Sequence, residues 1–191
     1  RLPAGPNGDK MGLDDYLIAN GPSGLKALEA DALEAHDSLT VSQIEHLTDL
    51  GNARRLVAEH GLDLRYCFPQ GSWYVWDGRH WLRDETAEVV RRAKQTVAGI
   101  YVAAGSVTNE DKRKDLGKHA TRSEANQKLR AMVELARSEP GIPVLPKDLD
   151  LSLMLLNVAN GTLDLRTAEL RPHRRGDLLT RLIEVHYDPN A

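Results

Sequence analysis

The chain has 191 residues, enough for one ordinary domain with an appendage or for two small domains. Its net charge of −3 hides an asymmetry: residues 1–50 carry three basic and nine acidic side chains, whereas residues 51–191 carry 22 basic and 19 acidic ones. The second part is only weakly basic. This excludes a dedicated nucleic-acid binder with a dominant positive field, so any such role has to rest on a local patch.

The single cysteine and the hydropathy pattern indicate the cellular compartment of the protein. Cys67 alone allows no internal disulfide, and its place in the apolar run "LRYCF" predicts a buried, inert thiol. No stretch approaches the ~18 uninterrupted apolar residues of a membrane span, and the amino terminus lacks a signal-peptide pattern. We therefore predict a soluble, cytoplasmic protein without membrane contact. Because the chain begins with arginine, we also expect it to be part of a longer polypeptide.

Residues 1–48 differ in composition from the rest of the chain. The opening "RLPAGPNGDKMG" is rich in glycine and proline and has no apolar period, which predicts a linker or the tail end of an upstream domain. Asp9, Asp14 and Asp15 lie close together in this segment, and such clusters can bind Mg²⁺ in polymerase and nuclease sites. The alternative is a solvated turn. The compact domain is predicted to comprise residues 49–191.

The first half of that domain predicts a helix, a hairpin and two long helices. The pattern indicates a helix over 52–61 with Asn52 as its cap, then a β-hairpin with a two-residue turn at Asp77-Gly78. Asp84 is expected to cap a helix over 85–104, and Asn109 to open another that runs to about residue 138. Alternation places Trp73 and Val75 on one face of the hairpin, and Tyr74 and Trp76 on the other.

The second half predicts short strands and turns. After a strand, Asn160-Gly161 indicates a turn that needs a positive φ, and a hairpin turns near Thr167-Ala168. The run "LLTRLIEVHYDP" suggests a last strand. The order of elements predicts an α+β fold, in which long helices pack with β-hairpins and no βα units alternate.

No motif for catalysis or metal binding appears in the chain. A phosphate-binding G-x-x-x-x-G-K-[ST] loop is absent, since Gly117-Lys118 is followed by His119 inside a helical pattern. The motifs G-x-S-x-G and H-E-x-x-H are also missing. No two of the seven histidines lie within three to five residues of each other, so a zinc site would need ligands from distant parts of the chain. We predict no catalytic residue, metal or cofactor in this chain.

A basic stripe on the predicted 109–138 helix is the main functional candidate. Residues 109–137 carry eight basic and five acidic side chains, and Lys114, Lys118 and Arg122 follow one another at intervals of four. Each such interval turns the helix by only about 40°, so the three share one face and can follow a phosphate backbone. Arg130, turned roughly 120° from Lys118 by the same arithmetic, is a fourth candidate contact off that line. The alternative is a solvated face with ordinary pairs such as Glu110–Lys114.

The tryptophans offer a second possibility for nucleic-acid contact. Trp73, Trp76 and Trp81 flank the predicted hairpin, and exposed indoles can stack on bases. Core packing against the long helices is the expected role for each of them.

Four motifs link the chain to a known family. They are "GNA-R" at 51–55, "W-x-V-W-D-G-R-x-W" at 73–81, "LA-R-SEPGI" at 135–142 and "LNV-x-NGTLDLRT-x-EL-R-x-H" at 156–173. In order and spacing they resemble the N-terminal domain that precedes the helicase in phage and plasmid primase–helicases, the family named for the poxvirus D-five helicase–primase. The resemblance covers about residues 49–190. Ala168 departs from it, because members usually have glycine in that turn.

The resemblance implies a role in DNA replication. It implies a primase domain before this module and, after Ala191, a hexameric superfamily-three helicase of the AAA+ type that uses ATP and Mg²⁺. "KMGLDDYLIANG" is similar, less closely, to the end of such a primase-like domain. The family gives no catalytic residue to carry over.

Three hypotheses follow. The first is a non-catalytic module that positions or loads DNA for the helicase and links it to the primase. The second is a protein-interaction collar that oligomerises the helicase without touching DNA. The third is a metal-dependent enzyme using Asp9, Asp14 and Asp15.

Overall fold

Four helices and two small sheets make up the described part of the chain. In the computed structural model, residues 46–189 are described. The helices are α1 (Asp49–His60), α2 (Glu88–Ser106), α3 (Glu110–Ser123) and α4 (Asn126–Ala136). The strands are β1 (Leu64–Cys67), β2 (Ser72–Trp76), β3 (Trp81–Arg83), β4 (Leu155–Val158), β5 (Gly161–Asp164) and β6 (Glu169–Arg171). The predicted α+β class is confirmed, and between residues 46 and 189 no βα units alternate.

Two of the sequence predictions depend on which residues the structure describes. Asp9, Asp14 and Asp15 lie outside the described residues. Among those that are described, no helix is both long and apolar enough to cross a membrane.

The first helix begins earlier than its sequence predicts. Thr48 is the cap, because its side-chain oxygen accepts a hydrogen bond from the backbone N–H of Gly51 at 3.0 Å. The prediction that Asn52 caps the helix is therefore wrong, and Asn52 is instead fully buried. The helix ends at His60, and a 3₁₀ turn follows from Gly61.

Strands β1, β2 and β3 form an antiparallel sheet that is covered on both faces. Trp73 and Val75 belong to the main core, together with residues of α1, α2 and α4. Tyr74 and Trp76 belong to a second cluster on the opposite face, with Cys67 and Trp81. The predicted division of the hairpin faces is confirmed, as is the burial of the Cys67 thiol.

Two loop predictions need correction in detail. The β2–β3 connection has four residues rather than two, because the Asp77 carboxylate accepts hydrogen bonds from the backbone N–H groups of Arg79 and His80. Asp84 does cap α2, but from four residues upstream: its carboxylate accepts from the N–H groups of Glu88 and Val89 at 2.8 and 3.0 Å.

The long helix predicted from Asn109 is two helices. Asn109 caps α3 as predicted, accepting from the backbone N–H of Lys112 at 3.0 Å. The chain then becomes extended at Ala125 before α4 begins. The break allows α4 to pack mainly against α1 while α3 packs mainly against α2. Neither glycine nor proline marks this break in the sequence.

Strands β4, β5 and β6 form the second antiparallel sheet. Here Gly161 lies inside β5 without a positive φ, so the predicted reason for this glycine is wrong. A Cβ at Gly161 would lie 2.6 Å from the backbone oxygen of Arg171, so the glycine permits close approach of β6. Ala168, at the predicted hairpin turn, has φ of 57°. The predicted last strand is absent from the described chain, where Ile183 makes one isolated bridge to Val158.

Candidate nucleic-acid interface

Helix α3 presents three of the four predicted contact residues on its solvent side. Ala120 and Ser123 are the buried residues of this helix. At about 100° per residue, Lys114, Lys118 and Arg122 centre roughly 170° away from that buried pair, and all three are exposed. Successive members are about 6 Å apart along the helix axis. We call these three residues the α3 stripe.

Acidic side chains accompany two members of the α3 stripe. Lys114 pairs with Glu110 at 2.8 Å, as the alternative interpretation predicts, and Lys118 approaches Asp115 at 4.0 Å. All four side chains are more than half exposed, and such surface pairs contribute only about 0–1 kcal/mol. A phosphate can therefore replace either carboxylate at small cost. In the described part of the chain, Arg122 has no ion pair or side-chain hydrogen bond.

Arg130 is separated from the stripe. It lies on α4, beyond the helix break, where it lines a groove between α2 and α4 together with Lys94 and Leu129. None of the α3 stripe residues lines that groove. The four predicted contacts thus divide into a line of three and one residue elsewhere.

Two further basic residues near the stripe hold the fold together. Lys128 pairs with Asp49 at 2.9 Å and so connects α4 to α1. The Arg137 guanidinium lies 4.7 Å from the centre of the Tyr66 ring and also pairs with Glu134. These structural roles distinguish Lys128 and Arg137 from the outward-facing cations of the α3 stripe.

The tryptophans do not form a stacking platform. Trp73, Trp76 and Trp81 are at most 7% exposed. The Trp81 indole N–H donates to the backbone oxygen of Arg175 at 2.9 Å. All three serve the core, as expected from the sequence.

A buried polar network fixes the inward side of α3, and the "GNA-R" motif supplies half of it. The Asn52 side-chain oxygen accepts from the Arg55 guanidinium and from His119 Nε2, each at 2.9 Å. The Asn52 amide donates to Ser123 Oγ at 2.9 Å. We call Asn52, Arg55, His119 and Ser123 the helical network. It sets the rotation of α3, so the stripe has to face solvent.

The surroundings of His119 in this network favour the neutral ring. Its contact with the Asn52 oxygen requires a proton on Nε2. Burial lowers the pKa of His119 below its usual 6.5, and the nearby Arg55 charge lowers it further. A second charge at this position would stand beside the guanidinium, which explains why the neutral ring is favoured.

The longest motif supplies a second network of the same kind. The Asn157 side-chain oxygen accepts from Thr162 Oγ1 and His173 Nδ1, both at 2.8 Å. Its amide donates to the backbone oxygen of Arg79 at 2.9 Å, which ties the second sheet to the β2–β3 hairpin. We call Asn157, Thr162, His173 and the Arg79 carbonyl the ribbon network.

Other residues of this motif are also structural. Asn160 exchanges two hydrogen bonds of 3.0 Å with the backbone of Tyr187. Arg171 binds Asp177 through two bonds of 2.8 Å. Arg166 forms a bidentate pair with Asp164, and this hydrogen bonding lowers the Asp164 pKa to about 2. None of these polar groups is arranged as a nucleophile with a base.

Sequence reasoning missed both networks. Their contacts join residues 67, 71 and 78 positions apart, as in the pairs Asn52–His119, Asn52–Ser123 and Asn157–Arg79. The sequence did carry a local sign of the helical network, because the polar residues Asn52 and Arg55 fall among the apolar residues of α1. From residue 46 to 189, no group of three or more His, Cys, Asp or Glu residues could hold a metal ion.

The family of the chain follows from these motifs and from one comparison. A family model described as "D5 N terminal like" matches residues 53–191. The chain therefore belongs to the D5 N-terminal-like family, which is a primase–helicase-associated N-terminal module. Comparison with curated proteins gives no match.

Proposed function

We propose that this domain is the non-catalytic DNA-positioning module of a mobile-element DNA primase–helicase. In this proposal it lies between a primase and an AAA+ helicase of the same polypeptide and guides DNA to the helicase ring, which uses ATP and Mg²⁺. The observation that carries the proposal is the α3 stripe: three exposed cations on one helix face, whose opposite face is fixed by a buried network.

The chemistry of the stripe suits a phosphate backbone rather than base edges. Lysine and arginine on an exposed helix contact phosphates by charge, which adds affinity without sequence readout. Only the weak pairs with Glu110 and Asp115 have to be displaced. The domain would therefore bind DNA of any sequence, and the affinity would fall as salt increases.

The test is a binding titration with labelled single-stranded and forked DNA over a salt series. Lys118→Ala/Arg122→Ala should weaken binding and reduce the slope of log affinity against log salt by about 1.4 to 1.8, for two phosphate contacts. Lys112→Ala/Arg113→Ala is the matched control, because it removes equal charge from other faces of α3. The proposal fails if the wild type shows no salt-dependent binding or if both double variants lose the same affinity.

An oligomerisation collar is the second candidate, and exposed apolar side chains near the second sheet favour it. Leu153 is 87% exposed, and it lines a cavity of about 310 Å³ with Ile183 and Leu156. Further exposed apolar residues of this region are Leu151, Met154, Leu165 and Val185. Patches of this kind mark protein contacts.

Light scattering on the isolated protein tests the collar. A hexamer that is indifferent to DNA, and that dissociates in Leu153→Asp, would favour the collar over DNA positioning. A monomer at all concentrations would contradict it.

A further inference from the structure

The groove between α2 and α4 has the build of a binding site of its own. Val90, Leu129 and Val133 contribute apolar surface to a volume of about 640 Å³. It adjoins a second hollow of about 320 Å³, lined by Val97, Tyr101 and others; Lys94, Glu124 and Leu129 line both. This size lies within the usual range of ligand sites.

Two cations line this groove without internal partners. In the described part of the chain, the side chains of Lys94 and Arg130 form no ion pair or hydrogen bond, and both residues are exposed. They come from different helices. The third cation of the groove, Arg137, is engaged by Glu134 and Tyr66. An anionic ligand is therefore favoured in the space that Lys94 and Arg130 border.

Polar groups also reach the groove from the break between α3 and α4. Glu124 and Asn126 line it there. A carboxylate can accept a hydrogen bond from an N–H group of a base, such as the ring N–H of thymine, and an asparagine amide can both donate and accept. A ligand with an anionic group, a flat apolar face and amino or carbonyl edges matches this set.

One contact connects the smaller hollow to the helix that carries the α3 stripe. Tyr101 lines the smaller hollow, and its hydroxyl contacts Thr121 Oγ1 at 3.2 Å. Thr121 is next to Arg122 in α3 and three residues from Lys118. A polyanion lying along the stripe would therefore pass close to the smaller hollow.

An unpaired DNA strand fits these observations better than a duplex. The bases of a duplex are stacked inside it and cannot reach an apolar floor between two helices, whereas a single strand can turn a base inward. Its phosphates would then lie within reach of Lys94 and Arg130. An acidic amphipathic peptide is the competing occupant, but its carboxylates only accept hydrogen bonds and so cannot donate one to Glu124.

We propose that the α2–α4 groove binds a nucleotide of unpaired DNA, with Lys94 and Arg130 on the phosphates and Leu129 and Val97 under the base. This inference rests on the proposed function and adds to it: the α3 stripe holds any DNA, and the groove selects the single-stranded form.

The experiment compares labelled oligo-dT and hairpin duplex DNA, each of about 20 nucleotides, by fluorescence anisotropy. Lys94→Gln/Arg130→Gln should weaken oligo-dT binding about tenfold and change duplex binding less than about twofold. Ala98→Leu narrows the smaller hollow without changing charge or adding an aromatic ring, and it should act in the same direction. The control Arg83→Gln/Arg174→Gln removes equal charge from exposed residues elsewhere and should leave the preference intact. Circular dichroism confirms that each variant is folded.

Each result separates the two proposals. If the groove variants weaken both DNA forms equally, or neither, the groove inference is overturned while the stripe can stand. If the wild type binds neither form at low salt, the proposed function fails, and the groove inference with it. Binding of a glutamate-rich helical peptide that Ala98→Leu abolishes, without any effect of Ala98→Leu on oligo-dT, would assign the groove to a protein partner instead.

Discussion

The helical network and the ribbon network each provide hydrogen-bond partners for a buried asparagine side chain, and they differ in their electrostatics. In each, a buried asparagine oxygen accepts two hydrogen bonds, one of them from a histidine, and the amide donates one. The helical network contains the guanidinium of Arg55, whereas Arg79 contributes only its backbone oxygen to the ribbon network. The helical network thus includes a buried guanidinium, and the ribbon network does not.

The largest expected effect comes from removing each asparagine. Asn52→Ala should lower the free energy of unfolding by about 3 kcal/mol, because it removes a hydrogen bond to a charged group and strands Ser123 and His119. Asn157→Ala removes no hydrogen bond to a guanidinium and should cost about 2 kcal/mol. Urea unfolding measures both. Equal losses would show that the Arg55 charge makes no difference between the two networks.

Gly51 and Gly161, one from each of the two motifs, extend the comparison between the helical region and the second sheet. A Cβ at Gly161 meets the backbone oxygen of Arg171 inside a paired strand, so Gly161→Ala should cost about 2 kcal/mol. A Cβ at Gly51 would come even closer to a backbone oxygen, at 2.0 Å, but that oxygen belongs to His46, which precedes α1. Because that oxygen is held by one side-chain hydrogen bond from Arg55 rather than within a paired strand, Gly51→Ala should cost less. A larger loss for Gly51→Ala in thermal unfolding would reverse this ranking.

The pH dependence of stability should come in part from the helical network. The pKa of His119 is lowered in the folded protein by burial and by Arg55, so the unfolded chain binds its proton first as the pH falls. The stabilisation is fully present above about pH 7 and is lost as the pH falls through 6.5 toward the folded pKa. His119→Gln should flatten this slope in urea unfolding between about pH 7 and 5.

His60 gives the matching contribution within the helical region. Burial lowers its pKa as well, so His60→Gln should also flatten the slope, and the double variant should be flatter than either single one. A wild-type slope that His119→Gln leaves unchanged would mean that the pKa of His119 is not lowered in the folded protein.

The smallest effect concerns the strained turn of the second sheet. Ala168 adopts a φ of 57°, where glycine is favoured, so Ala168→Gly should stabilise the protein by about 0.5–1 kcal/mol. Ala87, at φ 59° before α2, is the helical counterpart and should respond in the same direction. A lower melting temperature of Ala168→Gly would show that the turn is unstrained.

Local patterns in the sequence were sufficient for most of the elements. Alternation gave the faces of β2, and the caps at Asn109 and Asp84 were predicted because side-chain to backbone bonds there span only a few residues. The break at Ala125 was not predictable, since it arises from the packing of α4 on α1 and no breaker residue marks it.

The candidate site was predictable only as a line of charges. The spacing of Lys114, Lys118 and Arg122 indicated one helix face, and the structure places them on one. The groove beside Arg130 depends on how α2 meets α4, which the spacing of residues within either helix does not encode. Gly161 shows the same limit: its neighbour is a strand ten residues away, not its own turn.

The buried thiol of Cys67 can report how often the structure around it opens. The thiol is the sole one in the sequence and is fully enclosed in β1. A thiol reagent can reach it only when the first sheet opens, so its rate of labelling reports how often that opening occurs. Because Val144 and Leu178 belong to the same cluster as Cys67, this opening includes separation of the segments around them.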